Sequence, residues 1–534
     1  MTYDNNSCQR DPQMTLGTKS CYDVSMLAKV ISAAVVGLDA VPVEVEVDIA
    51  AQGLPSFTIV GLPDKAVDEA KERVRSAIRN SGADFPPKKI TVNLAPADLP
   101  KEGPSYDLPI ALGILIASGQ LRADISDAIF SGELSLDGRV RPIHGALVQA
   151  LMAKKEKMQR FFLPAENASE AAIIQDLDLY PVASLSKLFH HLSGMKNIEK
   201  FPPINLADIS SDHVFDHDMR EIKGQHQTKR AMEIAAAGGH NILLKGPPGA
   251  GKTMIARTLA SILPRLTFDE ILEVTKIYSI AGNLGKDGVM HKRPFRSPHH
   301  TTSLVGLIGG GSNPKPGEIT LAHRGVLFLD EFPEFPRSVL ESLRQPIEDN
   351  VVSISRANGK TTFPAKCMLV AAQNPCPCGY LGDKTHQCSC APSQIIRYQK
   401  KVSGPLLDRI DIHVHVPAVK VEKLTEKDTS DVENSEKIRE RVQKARDKQT
   451  NRYKGGAISS NAELTNKAIK EFCELSDECL TMLRTAVSTL NLSGRSYYRV
   501  IKLARTIADL EDRDQITTNH LAEALQYRPK QDGI

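Results

Sequence analysis

Eight consecutive residues, Gly246-Pro-Pro-Gly-Ala-Gly-Lys-Thr253, hold the most specific chemistry in the chain. In this spacing the backbone N–H groups of Gly246, Pro248 excepted with Pro247, and of Gly249, Ala250 and Gly251 wrap a phosphate. Lys252 is then placed to contact the β- and γ-phosphates and Thr253 to offer a hydroxyl to Mg²⁺. The competing reading of the octet alone is a glycine turn between a strand and a helix. Asp330-Glu331 follows the apolar run 325–329. That position lets Asp330 hold the Mg²⁺ shell while Glu331 orients and deprotonates water. Asn374 ends the apolar run 368–373, where its amide either fixes that water or forms a turn. Arg409, in Gly404-Pro-Leu-Leu-Asp-Arg-Ile-Asp411, is either a cation for the γ-phosphate in the transition state or an ion-pair partner of Asp408 or Asp411. Arg495 stands at a helix N-terminal boundary, a poor place for a cation unless an anion such as phosphate accompanies it.

Four thiols crowd into Cys376-Pro-Cys378 and Cys388-Ser-Cys390, with His386 nearby. Four thiolates suit tetrahedral zinc, although C-x-C is tighter than the usual C-x₂₋₄-C; the alternative is a loop of reduced thiols. Two segments offer cations to a polyanion. Residues 306–319, glycine-rich and carrying Lys315, read as a mobile loop, and 351–363 read as a hairpin with Arg356 and Lys360 near its tip. Arg293, Arg296, His299 and His300 form a further basic cluster.

The elements that must position these groups fall into blocks. Residues 1–22 are a polar extension without the apolar stretch of a secretory signal. Residues 23–190 read as an α+β domain: alternating strands at 43–49 and 90–94, an amphipathic helix at 66–81 ended by Gly82, helical patterns at 105–119 and 146–157, and strands at 128–136 and 140–143. Residues 191–217, with Pro202-Pro203, read as a linker. From 218 to 420 apolar strands alternate with helices, the pattern of an α/β domain with a buried parallel sheet. Residues 421–534 read as all-α, with helices near 436–447, 462–475, 477–490, 497–510 and 519–527.

Composition bounds the function. A 534-residue chain with 41% hydrophobic and 25% charged residues has material for three or four folding units and is not disordered, collagen-like or coiled-coil. The net charge of +3 excludes binding of nucleic acid through a global basic excess, so such contact must be local. The absence of Trp and 5% aromatic content argue against a large base-stacking platform. The apolar runs 26–38 and 110–118 are shorter than a membrane helix needs. Nine cysteines, five of them scattered, suit a soluble protein of the reducing cytoplasm rather than a disulfide framework.

The ordered set of Gly246–Thr253, Asp330-Glu331, Asn374, Arg409 and Arg495 resembles an AAA+ ATPase. Arg296-Ser-Pro-His-His-Thr-Thr302, Gly309-Gly-Gly311, Pro316-Gly-Glu-Ile319 and Asn374-Pro-Cys-Pro-Cys-Gly379 narrow the resemblance to its magnesium-chelatase-like branch, the YifB/ComM family. The resemblance covers nearly everything from Met26 onward and implies that residues 1–25 are an extension or follow a misassigned start. It implies a Walker A motif ending in Lys252 and Thr253, a Walker B motif at Asp330 and Glu331, sensor 1 at Asn374, an arginine finger at Arg409 and sensor 2 at Arg495. It also implies a hexameric ring in which one subunit's finger completes its neighbour's site. The activity implied is an ATP-driven DNA motor, a helicase or branch-migration translocase serving DNA uptake, with a chelatase-type remodelling ATPase as the alternative. The first block is similar to the proteolytic domain of Lon proteases: Pro100-Lys-Glu-Gly-Pro-Ser105 matches their serine loop, but Gln149 stands where they carry the activating lysine. A serine hydroxyl without a base is a poor nucleophile, so peptidase activity is not expected.

Overall fold

The computed structural model describes residues 27–529 except 51, 206–214, 286, 312–313, 357–358, 384–385, 419–432, 457 and 491. Its N-terminal part is a seven-stranded mixed sheet in the order Ser56–Val60, Lys89–Ala95, Asp39–Ala50, Ala28–Val36, Ala128–Phe130, Arg160–Pro164, Asp178–Val182. Asp39–Ala50 pairs antiparallel with both neighbours, and its alternation sends Val43, Val45, Val47 and Ile49 inward. The helix Asp107–Ala117 lies on that face so closely that a Cβ on Gly113 would stand 2.5 Å from Val47 Cγ2. The amphipathic helix divides into Lys65–Asp68 and Ala70–Asn80, burying Ala70, Val74, Ala77 and Ile78. The stretch read as one strand over 128–136 is two, Ala128–Phe130 and Glu133–Leu134, because the Gly132 N–H turns aside to donate to the Ser105 carbonyl.

The second part is a five-stranded, all-parallel sheet in the order Phe295–Arg296, Val326–Leu329, Met368–Gln373, Ile242–Lys245, Ile412–His415. Val326–Leu329 is buried throughout, which explains its unbroken apolar sequence. Helices Ser435–Arg452, Asn466–Phe472, Asp477–Leu490, Gly494–Leu510 and Thr518–Gln526 follow. They do not build a core of their own. Ile438, Val442, Leu503 and Ile507 join the same buried cluster as Ile242, Leu244, Val370 and Ile412 of the sheet.

Two regions differ from the sequence reading. The 306–319 segment, expected as a mobile loop, contains a short helix, Leu304–Ile308, and a tight hairpin pairing Gly309 with Pro316 and Gly310 with Lys315. Gly309 has φ +102°, and a Cβ there would stand 2.4 Å from the Lys315 carbonyl oxygen, so the glycines are needed for close approach. The linker is partly tied down before 206: Phe201 N–H donates to the Leu179 carbonyl at 2.8 Å, and Ile204 N–H to that of Ala172 at 2.9 Å.

The two parts meet. Gly145 N–H donates to the Ser279 carbonyl at 3.1 Å, and a Cβ on Gly37 would stand 3.3 Å from Thr361 Cγ2 of the hairpin Val351–Arg356/Gly359–Pro364.

Candidate functional site

The parallel sheet points the C-terminal ends of three adjacent strands at one place. Ile242–Lys245 runs into the loop 246–251, Val326–Leu329 delivers Asp330, and Met368–Gln373 delivers Asn374. Ligands of open α/β sheets bind at this end. Gly249 at φ +74° and Gly251 at φ +80° hold a conformation that side-chain-bearing residues avoid, and a Cβ on either would meet nothing within 4 Å. The space beside both glycines is therefore open. Gly246 is needed for a different reason, since a Cβ there would stand 2.1 Å from the Val416 carbonyl oxygen.

Lys252 begins the helix Lys252–Thr258 and folds its ammonium back over the loop. It donates to the carbonyls of Gly246 at 2.9 Å and Pro247 at 2.8 Å and to Asn374 Oδ1 at 3.0 Å. Burial lowers its pKa from the ordinary lysine value, against an opposing pull from Asp330. Thr253 Oγ1 donates to Asp330 Oδ2 at 2.7 Å, and Asp330 Oδ1 accepts from the Glu331 N–H at 2.9 Å. These groups fit a Mg²⁺-nucleotide: an open N–H cradle, one ammonium, and a hydroxyl beside a carboxylate as oxygen donors for a hard cation.

Glu331 occupies the left-handed region at φ +49°, turning its side chain out of the strand line. Its Oε2 lies 3.2 Å from His300 Nδ1, and the His300 ring packs against that of His299 with centroids 4.1 Å apart and planes tilted by 34°. In the sequence His300 reads only as part of a basic cluster; its place on the Glu331 carboxylate depends on a loop crossing that no local pattern carries. No sequence pattern singles out Gln225. With φ +52°, it donates from Nε2 to the Ala250 carbonyl at 3.1 Å and to that of Pro417 at 3.3 Å, tying the loop 246–251 to the end of the sheet. The sequence offers only the glycine of Gly224-Gln225 as a sign of a turn there; the positive φ of both residues belongs to the fold.

Arg409 and Arg495 lie together, away from this cluster. Both bond to one carboxylate: Glu348 Oε2 takes the Arg409 guanidinium, with Nε at 3.1 Å, and Glu348 Oε1 takes Arg495 Nη2 at 2.9 Å. Hydrogen bonding from Arg409 holds the Glu348 carboxyl below the usual carboxylate range. The partners weighed for Arg409 are engaged elsewhere, Asp408 with Ser493 and Ser496 and Asp411 with Arg499. The anion accompanying Arg495 at its helix start is Glu348. Arg409 precedes the strand Ile412–His415, so it sits at the opposite end of the sheet from Lys252. A four-residue strand separates the ends by roughly 13 Å, beyond the reach of an arginine side chain to its own phosphate loop.

The thiols converge. Cys376 Sγ is 3.4 Å from Cys378 Sγ and 3.7 Å from Cys388 Sγ, and Cys378 and Cys388 are 3.6 Å apart. Cys378 N–H also donates to Cys390 Sγ at 3.3 Å. A backbone N–H from Tyr380, more than any other contact, pulls the Cys378 thiol down to about 5.

Lys315 and Lys360 are exposed on the two hairpins. Lys360 pairs with Ser355 and Gly359 with Arg356, while the turn at 357–358 lies outside the described residues. The hairpins are neighbours, since a Cβ on Gly309 would touch Ile354 Cδ1 at 3.4 Å. In the N-terminal part Lys101 is buried and donates to the Pro96 carbonyl, so its amine serves that carbonyl and not Ser105. Gln149 is 1% exposed, with no hydrogen-bond partner for Oε1 among the described residues. No helix among the described residues is long and apolar enough to cross a membrane.

Three family models match in order along the chain: subunit ChlI of Mg-chelatase at 45–167, magnesium chelatase subunit ChlI at 218–424, and the ChlI C-terminal region at 432–528. The competence protein ComM of Haemophilus influenzae is 46% identical over 508 residues, covering 94% of this chain and 97% of that protein. The YifB protein of Escherichia coli is 43% identical over 503 residues, with coverage of 94% and 97%. Lon protease 2 of Bacillus subtilis is 27% identical over 172 residues, 30% of this chain and 31% of that protein, a partial likeness at the N-terminal region. With full-length relatives at this identity and ChlI-type regions in sequence along it, the chain belongs to the YifB/ComM family of magnesium-chelatase-like proteins.

Proposed function

We propose that the chain hydrolyses ATP with Mg²⁺ at the loop 246–253 and uses the turnover to move along DNA as a homo-oligomeric, hexameric ring. The observation that carries the reading is the convergence of two hydrogen-bonded pairs, Lys252 with Asn374 and Thr253 with Asp330, at the C-terminal ends of three adjacent strands, with the Glu331 N–H on Asp330. Thr253 and Asp330 hold Mg²⁺ in this reading, and the ion, when bound, neutralises charge on the phosphate oxygens. Lys252 exchanges its loop carbonyls for phosphate oxygens. Asn374 orients a water, and Glu331 takes its proton once it leaves His300. Arg409 and Arg495, sharing Glu348 at the far end of the sheet, act on the nucleotide of the adjacent subunit; this arrangement requires a head-to-tail ring.

DNA is favoured as the track by exposed Lys315 and Lys360, with Arg356 beside Lys360 in the hairpin, which a ring presents in several copies. The name of the ComM relative, a competence protein, agrees with this. The ChlI matches favour a second reading, an ATPase that remodels a protein or metal-insertion complex. The deciding measurement is ATP turnover with and without single-stranded or branched DNA at low salt. Stimulation supports the motor on DNA, and unchanged turnover leaves the remodelling reading in its place. Glu331→Gln is expected to lower turnover by about 10²- to 10⁴-fold while nucleotide still binds; turnover at the parent rate would remove Glu331 as the base.

A further inference from the structure

We infer that Cys376, Cys378, Cys388 and Cys390 bind one zinc ion, and that this ion holds Asn374 and the phosphate loop in register from behind. Coupling to turnover rests on the hydrolysis proposed above; the metal site does not.

The distances decide what four thiols at this place can be. A disulfide needs sulfurs about 2.05 Å apart, and all four cysteines are free, with separations of 3.4 to 3.7 Å among Cys376, Cys378 and Cys388. A tetrahedron with zinc–sulfur bonds of about 2.3 Å has edges of about 3.8 Å. The four sulfurs lie within 4.8 Å of one another, so all can meet a single ion. An all-sulfur donor set selects a soft or borderline ion over Mg²⁺ or Ca²⁺. The backbone adds to the fit. Cys376-Pro-Cys-Gly379 is a turn closed by the Gly379 N–H to the Cys376 carbonyl at 3.0 Å, with proline and glycine at the second and fourth positions such turns favour. The tight C-x-C spacing is thus a turn that aims both thiols the same way, and the Cys378 N–H to Cys390 Sγ bond supplies support to a ligand from outside the metal's own shell.

The same turn is physically continuous with the nucleotide site. Cys376 follows Asn374 by two residues, and the Asn374 amide oxygen accepts from Lys252. Gly379 presses on the phosphate loop, since a Cβ there would stand 2.4 Å from Pro248 Cδ. Gln399, from the helix Pro392–Gln399 that follows Cys390, donates from Nε2 to the Pro375 carbonyl at 3.3 Å. Cross-linking the two ends of this segment through one ion leaves the turn no freedom to back away from Pro248 or to carry Asn374 off Lys252.

The test uses the full chain. Purified protein should carry one zinc per chain by elemental analysis. After exchange with Co²⁺ it should show the charge-transfer and ligand-field bands of a tetrahedral cobalt tetrathiolate. Both signals should be lost in Cys388→Ser/Cys390→Ser. No zinc above trace in zinc-replete protein, together with no cobalt spectrum, overturns the site. Stripping zinc from the folded parent with a thiol-reactive mercurial and a chelator should lower turnover about 100-fold, and thiol reductant with added Zn²⁺ should restore it. Zinc-free protein that turns over at the parent rate overturns the coupling. This titration does not depend on the serine variant folding. A chain that binds zinc and hydrolyses no ATP in either state overturns the proposed hydrolysis and leaves the metal site standing.

Discussion

Replacing Gly379 by alanine tests whether the thiol turn sets the position of the phosphate loop. The added Cβ would stand 2.4 Å from Pro248 Cδ and 3.0 Å from Pro248 Cγ. Carbon atoms in contact need about 3.5 Å, so the loop or the turn must move by about 1 Å. A displacement of that size at a reacting centre costs about 100-fold in rate. Gly379 also has φ +85°, which costs alanine about 1–2 kcal/mol whatever surrounds it. Gly382 provides the control: it has φ +78° in the same loop, and a Cβ there meets nothing within 4 Å. Both Gly379→Ala and Gly382→Ala should therefore lose about 1–2 kcal/mol from the backbone conformation in urea unfolding, and Gly379→Ala about 1–3 kcal/mol more from overpacking. Only Gly379→Ala should lose turnover, by about 100-fold in a coupled ATPase assay, with its zinc content unchanged. Equal turnover in the two variants would refute the claim that this contact places the loop.

Two further outcomes follow from the far end of the sheet. If Arg409 serves a neighbour, Lys252→Ala and Arg409→Ala proteins, each inactive alone, should regain turnover on mixing, because random assembly gives about one interface in four with both groups intact; purely additive rates would place Arg409 outside the shared site. Asp411, 4% exposed, pairs with Arg499 and accepts from the Asn241 N–H at 3.0 Å, so Asp411→Asn should cost about 3 kcal/mol in denaturant unfolding. Burial alone would raise the Asp411 carboxyl, but Arg499 and His240 outweigh it and hold it well below the usual range. Its stabilisation is thus fully present above the unfolded value of about 3.9 and is lost as pH falls through and below it. The difference between parent and Asp411→Asn should stay constant near neutrality and shrink below about pH 4; a difference that grows on acidification would refute the assignment.

Local chemistry made a large share of this molecule legible. Gly249 and Gly251 are legible as a tight strand-to-helix loop because the required φ angles exclude other residues, and the apolar runs before Asp330 and Asn374 mark strands buried on both faces. The alternation at 43–49 set which side of that strand faces the core. The glycine-rich segment 306–319 reads as a loop, while its described residues hold a short helical turn and a hairpin, since composition cannot distinguish glycine that confers freedom from glycine that permits close approach.

The residues that could act, and the strands that carry most of them, were thus determined by the sequence alone, because φ restrictions, burial and alternation are properties of a few neighbouring positions. Which residues meet was decided only by the tertiary structure. Arg409 and Arg495 are 86 positions apart and converge on Glu348, and His300 crosses to Glu331, because the order of strands in the sheet, which no local pattern encodes, chooses their neighbours. The same holds for the thiols. Two C-x-C pairs were plain in the sequence, but separations that fit one ion, and the contact of Gly379 with Pro248, exist only where the chain has folded back on its own phosphate loop.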